Sequence, residues 1–180
     1  MDIMRGAVAA HAALTSASSF RAAIPPGPIR LEDYLTALPY KNKILKLQMT
    51  GRQLQALLEY SGTKRRSDNF AVTSGVRYTL NVNTVSGISV VSDPLAKEPK
   101  YELLQSDRVY TVATTDYLAN VAAGYKEIFD QAQSKTDSGI VFNDAVIDFI
   151  KSSSPVSARL EGRVIIADGL GLLPPFVPLK

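Results

Sequence analysis

Residues 44–62 read ILKLQMTGRQLQALLEYSG, and this stretch decides the class of fold. Its first part, residues 44–49, places leucine and methionine on one side and Lys/Gln on the other, which predicts a half-buried strand. Thr50 follows with a hydroxyl that can cap a helix over residues 51–60. Three leucines fall on one face of that helix, and Gly62 is predicted to end it. A strand followed at once by a helix therefore anchors the fold.

The rest of the chain repeats this mixture of strands and helices. Further strands are predicted over residues 70–73, 76–82, 87–91, 108–113 and 163–167. Helical segments are predicted over residues 5–14, 31–38, parts of 114–134, and from a cap at Asn143 to Ser154-Pro155. Prolines make residues 22–30 irregular and residues 92–106 mostly loop. Because strands come in pairs with helices between the pairs, we predict an α+β fold: a mixed β-sheet with helices packed on it.

A length of 180 residues predicts one domain. We divide it into a truncated N-terminal helix (1–14), a domain body (15–167) and an irregular apolar tail rich in proline (168–180). The Ala-rich start only weakly imitates a secretion signal, and a truncated helix is the preferred interpretation. No run approaches the ~20 apolar residues of a membrane span, so no membrane span is expected.

Charge argues against a nucleic-acid partner. The net charge is only +3, and a binding domain concentrates basic residues on one face. The one basic cluster, Lys64-Arg65-Arg66, lies in a stretch rich in Ser, Gly and Asp and is predicted to be a solvated loop. Asp144 and Asp148 are similarly predicted to lie on a solvated helix face.

The residues for independent catalysis are missing. His11 is the only histidine and cysteine is absent, so neither a Ser-His-Asp triad nor a two-metal site has its usual members. His11 is interpreted as a residue of a surface helix. We therefore expect no catalytic residue, no metal and no cofactor in this chain, and no catalysis by it alone.

Two tyrosines lie next to predicted strand ends. Tyr40 occurs in a turn ahead of the strand at 44–49, and Tyr117 comes just after the strand at 108–113. Aromatic rings in such places can offer flat faces to a planar ligand such as a nucleobase. Packing over the edge of the sheet is the alternative, and these residues alone leave both possibilities open.

Several short motifs carry a resemblance to a known family. They are Ser19-Phe20-Arg21-Ala22 with Ile24-Pro25, Leu38-Pro39-Tyr40 with Asn42, Met49-Thr50-Gly51, Val72-Thr73-Ser74-Gly75-Val76, Val112-Ala113-Thr114 with Asp116-Tyr117-Leu118-Ala119-Asn120, Asp137-Ser138-Gly139, Asp144-Ala145, and Glu161-Gly162-Arg163-Val164. In this order, over about residues 15–166, they resemble the C-terminal domain of the 5'-nucleotidase and UDP-sugar hydrolase family. Each motif is short, and their shared order carries the resemblance.

The resemblance implies a substrate-recognition domain for a nucleotide or nucleoside. It implies that Tyr40 and Tyr117 stack on the base, that Arg21 contacts the phosphate, and that Asn120 belongs to the same substrate-binding set. A planar guanidinium suits phosphate because it donates two parallel hydrogen bonds. Hydrolysis then requires a separate metallophosphoesterase domain or chain, with two divalent metals held there. Family members are typically periplasmic or at the cell surface.

The sequence departs from the family pattern at the polar positions. Family members carry Asn-x-Gly-Gly-x-Arg where this chain has Ser16, Ser18 and Ser19 before Arg21, and an Asp where it has Ala123. The added Cβ atoms are expected to crowd the site. An alternative interpretation is therefore a degenerate domain that serves as a structural or protein-interaction module. Similarity to the thiosulfohydrolases of the same superfamily is a third, which no residue favours.

Overall fold

The computed structural model describes residues 1–82 and 84–167. The strands are β1 (Ala12–Ser16), β2 (Lys43–Thr50), β3 (Ala71–Ser74), β4 (Val76–Asn81), β5 (Thr84–Val91), β6 (Tyr101–Leu103), β7 (Val109–Thr115), β8 (Ser134–Val141) and β9 (Val164–Ile166). The helices are α1 (Asp2–Ala7), α2 (Leu31–Ala37), α3 (Gly51–Thr63), α4 (Asp116–Asn120), α5 (Tyr125–Phe129) and α6 (Phe142–Ser153), and a 3₁₀ turn covers Ala17–Ser19. The predicted tail, residues 168–180, lies outside the described residues.

The strands form two mixed sheets. The first has five strands in the order β3-β1-β7-β2-β8, and the second has four in the order β6-β5-β4-β9. In the first sheet β1 and β7 run parallel and the other neighbours antiparallel. In the second sheet β4 and β9 run parallel, again beside antiparallel pairs. The predicted α+β class with mixed strand directions is confirmed.

The opening stretch folds as its pattern predicts. Thr50 Oγ1 accepts the backbone N–H of Gln53 at 3.3 Å, and the Gln53 side chain accepts the N–H of Thr50 at 2.8 Å. This reciprocal cap satisfies two backbone donors at the start of α3. The leucines at 54, 57 and 58 are fully buried on its inner face. Gly62 lies inside the last turn, because α3 continues to Thr63.

The helix predicted over residues 5–14 is wrong beyond Ala7. The helix α1 ends there, Ala9 adopts a positive φ of 48°, and β1 begins at Ala12. All five residues of β1 are buried, because the strand lies between β3 and β7 and is covered on both faces. A strand buried on both faces has no polar alternation, so its small apolar residues resemble a helix in sequence.

His11 is not a surface helix residue. It immediately precedes β1, and its Nδ1 accepts the backbone N–H of Thr111 at 3.1 Å. Its ring meets the edge of Tyr110 at a centroid distance of 5.6 Å. Burial, together with the positive charge of Arg108, lowers the pKa of His11. The ring therefore serves as a structural acceptor between neighbouring strands.

Two strands besides β1 are not predicted from the sequence. The strand β6 lies inside the predicted loop at 92–106, and β8 lies in a region with no predicted strand. In the first sheet β8 pairs only with β2, and no residue of it is fully buried. An exposed edge strand needs no apolar face, so its polar sequence carries no alternation signal.

Asn143 does not cap α6 as predicted. The residue at the cap position is Val141, and Asn143 lies within the first turn. Its side-chain amide instead donates to the backbone carbonyl of Leu38 at 2.7 Å. The amide thereby fastens the end of α2 to the start of α6, which fixes the turn that follows Leu38.

Apolar side chains cover both faces of the first sheet. On one face the leucines of β1 and β2 join α3, α4, α5 and strands of the second sheet in the larger buried cluster. On the other face Ala13, Ile44 and Ala113 pack with Met4 of α1 and Phe142 of α6. Within the described ranges, no helix is long and apolar enough to cross a lipid bilayer.

Candidate functional site

Four chain segments meet at one edge of the first sheet. The parallel strands β1 and β7 both end there, at Ser16 and Thr115. Since β2 is antiparallel to β7 and β3 is antiparallel to β1, both of these strands begin at the same edge. The segments before β2 and β3 therefore lie next to the segments after β1 and β7.

These segments enclose a cavity of about 370 Å³, which we call the edge cavity. Its lining residues are Ser18, Ser19, Tyr40, Asn42, Asp68, Asn69 and Tyr117. Tyr40 is 48% exposed and Tyr117 is 49% exposed. Ring–ring contacts in the described part of the chain join only His11 to Tyr110 and Tyr60 to Tyr125. The two tyrosines of the cavity thus present ring surface that no other aromatic among residues 1–82 and 84–167 covers.

Tyr117 is held by the start of α4. The hydroxyl of Thr115 accepts the N–H of Leu118 at 3.2 Å, and the carboxylate of Asp116 accepts the N–H of Tyr117 at 2.8 Å. Thr115 also shares a hydrogen bond with Thr15 of β1 at 3.3 Å. The buried side chain of Leu118 anchors one side of this short helix in the core. Tyr117 lies on the other side, where its ring remains half exposed.

Tyr40 is held by a turn that is fastened at both ends. The carbonyl of Leu38 accepts the Asn143 amide at 2.7 Å, and the carbonyl of Asn42 accepts the N–H of Phe142 at 2.8 Å. Both partners belong to the first turn of α6. The turn is therefore positioned by backbone contacts, and the Tyr40 side chain is left half exposed.

Serine hydroxyls line the wall at the end of β1. Ser18 bonds through its hydroxyl to Ser16 at 2.7 Å, and Ser19 bonds to Thr15 at 3.0 Å. Ser16 is itself buried and does not line the edge cavity. The Cβ atoms that were expected to crowd the site thus form one wall, and a cavity remains beside them.

Arg21 and Asn120 do not line the edge cavity. Arg21 is exposed, and its backbone N–H donates to the carbonyl of Ala37 at 2.8 Å. The side-chain oxygen of Asn120 accepts a hydrogen bond from the ammonium of Lys135 at 3.2 Å. The same ammonium forms an ion pair with Asp130 at 2.7 Å. Of the four predicted substrate-binding residues, the structure brings Tyr40 and Tyr117 to the cavity and places the other two outside its wall.

Asp68 and Asn69 line the edge cavity although no motif pointed to them. They follow the basic cluster after α3, a stretch interpreted as a solvated loop. The N–H of Ser18 donates to the carbonyl of Asp68 at 2.7 Å, which ties this loop to the turn after β1. The antiparallel pairing of β3 with β1 brings these residues to the cavity, the Tyr125 hydroxyl holds the carbonyl of Asn69 at 2.8 Å, and these long-range contacts leave no local sequence signal.

Among the described residues that line the edge cavity, Asp68 is the only one with a formal charge. No Lys or Arg belongs to this part of the wall. Next to Asn42 in sequence, Lys43 forms an exposed ion pair with Asp137 at 2.9 Å. The hydrogen bond and the charge of Asp137 raise the pKa of Lys43, and the hydrogen bond from Lys43 lowers the pKa of Asp137. Across residues 1–82 and 84–167, no group of three or more His, Cys, Asp or Glu residues could hold a metal ion. The described residues therefore do not supply the ligands of a two-metal site.

Comparison with known proteins identifies the fold and the family. The family model described as "5'-nucleotidase, C-terminal domain" matches residues 1–131. A 5'-nucleotidase-related protein of Glossina morsitans morsitans is 27% identical over 161 residues, which is 86% of this chain and 29% of that protein. The trifunctional nucleotide phosphoesterase protein YfkN of Bacillus subtilis is 27% identical over 162 residues, which is 88% of this chain and 11% of that protein.

A solved structure agrees with these matches. The crystal structure of a 5'-nucleotidase precursor from Thermus thermophilus superposes with a TM-score of 0.79 at 25% identity, covering 92% of this chain and 34% of that one. The chain thus spans about a third or less of the length of these relatives. The family match, the order of motifs and the two mixed sheets agree, and the chain belongs to the family of 5'-nucleotidase C-terminal domains.

Proposed function

We propose that this domain recognises the nucleoside part of a nucleotide for a 5'-nucleotidase-type phosphohydrolase, and that the edge cavity is the binding site. The observation that carries the proposal is the pair Tyr40 and Tyr117. Both rings are about half exposed, both line one cavity, and neither has an aromatic partner in the described chain. Exposed ring faces at a shared cavity are suited to stacking on a planar base.

The size and chemistry of the cavity fit this role. Its volume of about 370 Å³ lies within the range of small-molecule sites. Two stacking contacts contribute about 2–6 kcal/mol before the entropy of association is subtracted. Free energies of this size correspond to dissociation constants from tens of micromolar upward into the millimolar range.

Arg21 and Asn120 have secondary roles in the proposal. Because Arg21 lies outside the cavity wall, its guanidinium is available to a phosphate that projects from the bound nucleoside. Its backbone is bonded to Ala37, only a few residues before Tyr40. The side-chain oxygen of Asn120 accepts a hydrogen bond from Lys135, which leaves the amide N–H groups of Asn120 to donate to a ligand.

We assign hydrolysis to a metallophosphoesterase domain or chain that carries the two divalent metals. Names of the relatives, including a nucleotide phosphoesterase and a 5'-nucleotidase precursor, support this assignment, since this chain matches only part of each. The described residues assemble no metal-ligand group, so no step through a metal is assigned to them.

The proposal is tested by titrating isotope-labelled protein with adenosine, AMP and UMP and following amide shifts by NMR. We expect saturable shifts at Ser18, Asn69 and Tyr117, and an affinity weaker by about fivefold or more in Tyr117→Ala, because one stacking contact contributes about 1–3 kcal/mol. Tyr101→Ala is the matched control, since Tyr101 lies in β6 of the other sheet beside Arg77. No shifts at several millimolar ligand would contradict the proposal and favour a structural or interaction module.

A further inference from the structure

Asp68 lies in the wall of the edge cavity, but stacking gives it no role. Its backbone carbonyl accepts the N–H of Ser18 at 2.7 Å, which holds the residue against the turn after β1. Its carboxylate, by contrast, makes no hydrogen bond or ion pair with any residue that the structure describes. The main chain is therefore positioned while the charged side chain remains available to a ligand.

The other polar groups of the wall set the chemistry that this carboxylate adds. The hydroxyls of Ser18 and Ser19 are each bonded to a neighbouring hydroxyl in the turn or in β1. Asn42 and Asn69 contribute amides, which both donate and accept. An ionised carboxylate accepts only, and no cation among the described residues lines the wall to neutralise it. The cavity is thus complementary to hydrogen-bond donors and repels an anion.

We propose that Asp68 determines specificity by accepting paired hydrogen bonds from two adjacent donors on the neutral part of the ligand. Such bidentate contacts to a charged acceptor are shorter and stronger than neutral ones. A nucleoside offers two such pairs of donors: the N1–H and 2-amino group of guanine, and the 2′- and 3′-hydroxyls of ribose. The inference rests on the proposed function, because it places the nucleoside in the edge cavity.

The same charge fixes which end of a nucleotide enters. A phosphate placed in the edge cavity would lie close to the Asp68 carboxylate, with no cation from the described part of the wall to offset the repulsion. The phosphate is therefore directed out of the cavity, while the base lies between Tyr40 and Tyr117. Arg21, which is exposed and outside the wall, is consistent with this direction.

The test compares wild type, Asp68→Asn and Asp107→Asn by NMR titration with guanosine, inosine and 2′,3′-dideoxyguanosine. Asp68→Asn keeps the shape and removes the charge. Asp107→Asn is the control because that carboxylate is 91% exposed and pairs with Arg52 at the surface. We expect Asp68→Asn to weaken guanosine binding about fivefold or more, the discrimination typical of a bidentate pair.

The three ligands distinguish the two sources of donors. If the guanine edge faces Asp68, wild type prefers guanosine to inosine and Asp68→Asn loses that preference. If the ribose faces Asp68, the preference lost is that for guanosine over the dideoxy compound. Unchanged affinity ratios in Asp68→Asn, or an equal loss in Asp107→Asn, would overturn the inference while leaving the proposed function in place. No binding of any nucleoside to wild type would overturn both.

Discussion

Gly75 connects the two sheets in a conformation that suits glycine alone. It lies between β3 of the first sheet and β4 of the second, with φ at +74°. A Cβ at this position would overlap the backbone carbonyl oxygen of His11. The chain therefore passes from one sheet to the other where there is room for no side chain at all.

We expect Gly75→Ala to lower the free energy of unfolding by about 2–4 kcal/mol, because strain from positive φ adds to a backbone clash. Urea denaturation measures the change. Gly87→Ala is the control, since its φ is +61° but no atom lies within 4 Å of the added Cβ. It should cost only about 1–2 kcal/mol for the conformation itself. Equal losses in the two variants would show that the contact with His11 is unimportant.

Residues of the candidate site differ in how far sequence predicts them. Tyr40 and Tyr117 are predictable because each lies in a recognisable motif beside a strand end, and both line the edge cavity. Arg21 and Asn120 belong to the same motifs but lie outside its wall. No local sequence pattern predicts Asp68 as a site residue, because its position depends on the pairing of β3 with β1, which lies more than fifty positions away in the chain. Motifs identify residue types, whereas the wall of a cavity depends on pairing between distant strands.

At the scale of elements, burial decides which predictions succeed. The strand β2 has a buried and an exposed side, and its alternation predicts it correctly. The strand β1 is buried on both sides, and β8 has no fully buried residue, so neither shows a clear apolar–polar alternation and neither is predicted. Period-two patterns report half-buried strands only.

Two adjacent threonines at the end of β7 allow the start of α4 to be tested. Thr115 caps the helix and bonds to Thr15, whereas the hydroxyl of Thr114 is buried with no partner among the described residues. We expect Thr115→Val to lower the free energy of unfolding by about 1–2 kcal/mol and to weaken nucleoside binding through Tyr117.

Thr114→Val is the matched control, because it removes a buried hydroxyl of the same kind that bonds to nothing in the described chain. We expect it to leave stability unchanged or to raise it slightly. Chemical denaturation of both variants, followed by nucleoside titration, provides the measurement. If Thr114→Val proved the more destabilising of the two, the assigned cap at Thr115 would be wrong.

Across the whole molecule, Arg163 ties the two ends of the described chain to both sheets. Its guanidinium donates to Asp2 of α1 at 2.6 Å and to the carbonyl of Thr73 in β3 at 2.9 Å. The following residue, Val164, begins β9 of the second sheet. The division into two sheets is not predicted from the sequence. It depends on the junction formed by Gly75 and Arg163, and the alternation of apolar and polar residues within strands contains no information about that junction.

This junction predicts a stability that depends on pH. Burial raises the pKa of Asp2, but hydrogen bonds from Arg163 and Ser74 and the charge of Arg163 bring it below its ordinary value of 3.8. The contribution is therefore present above about pH 4 and is lost as pH falls through the lowered pKa. The Asp2 side chain is 58% exposed, so we expect only about 0.5–1 kcal/mol.

Denaturation of wild type and Asp2→Asn at pH 6 and at pH 3 measures this contribution. The difference between the two proteins should be largest at pH 6 and smaller at pH 3, because the stabilisation by Asp2 declines once the pH falls below the ordinary value of 3.8 towards the lowered pKa. Asp107→Asn should track wild type at both values, since its ion pair with Arg52 is exposed on both sides. A difference that persists undiminished at pH 3 would contradict the electrostatic explanation.

The placement of β1 also bears on how the chain acquires its structure during synthesis. Thr15 and Thr115, whose hydroxyls meet beneath the edge cavity, are separated by 100 positions. Because β3 precedes β7 in the chain, β3 is available to β1 during synthesis before the central parallel pair of β1 and β7 can form. The free edge of β1 needs protection until then, because an unpaired apolar strand is prone to aggregate. The residues that line the edge cavity are complete only after Tyr117 has emerged, and β8 joins β2 later still.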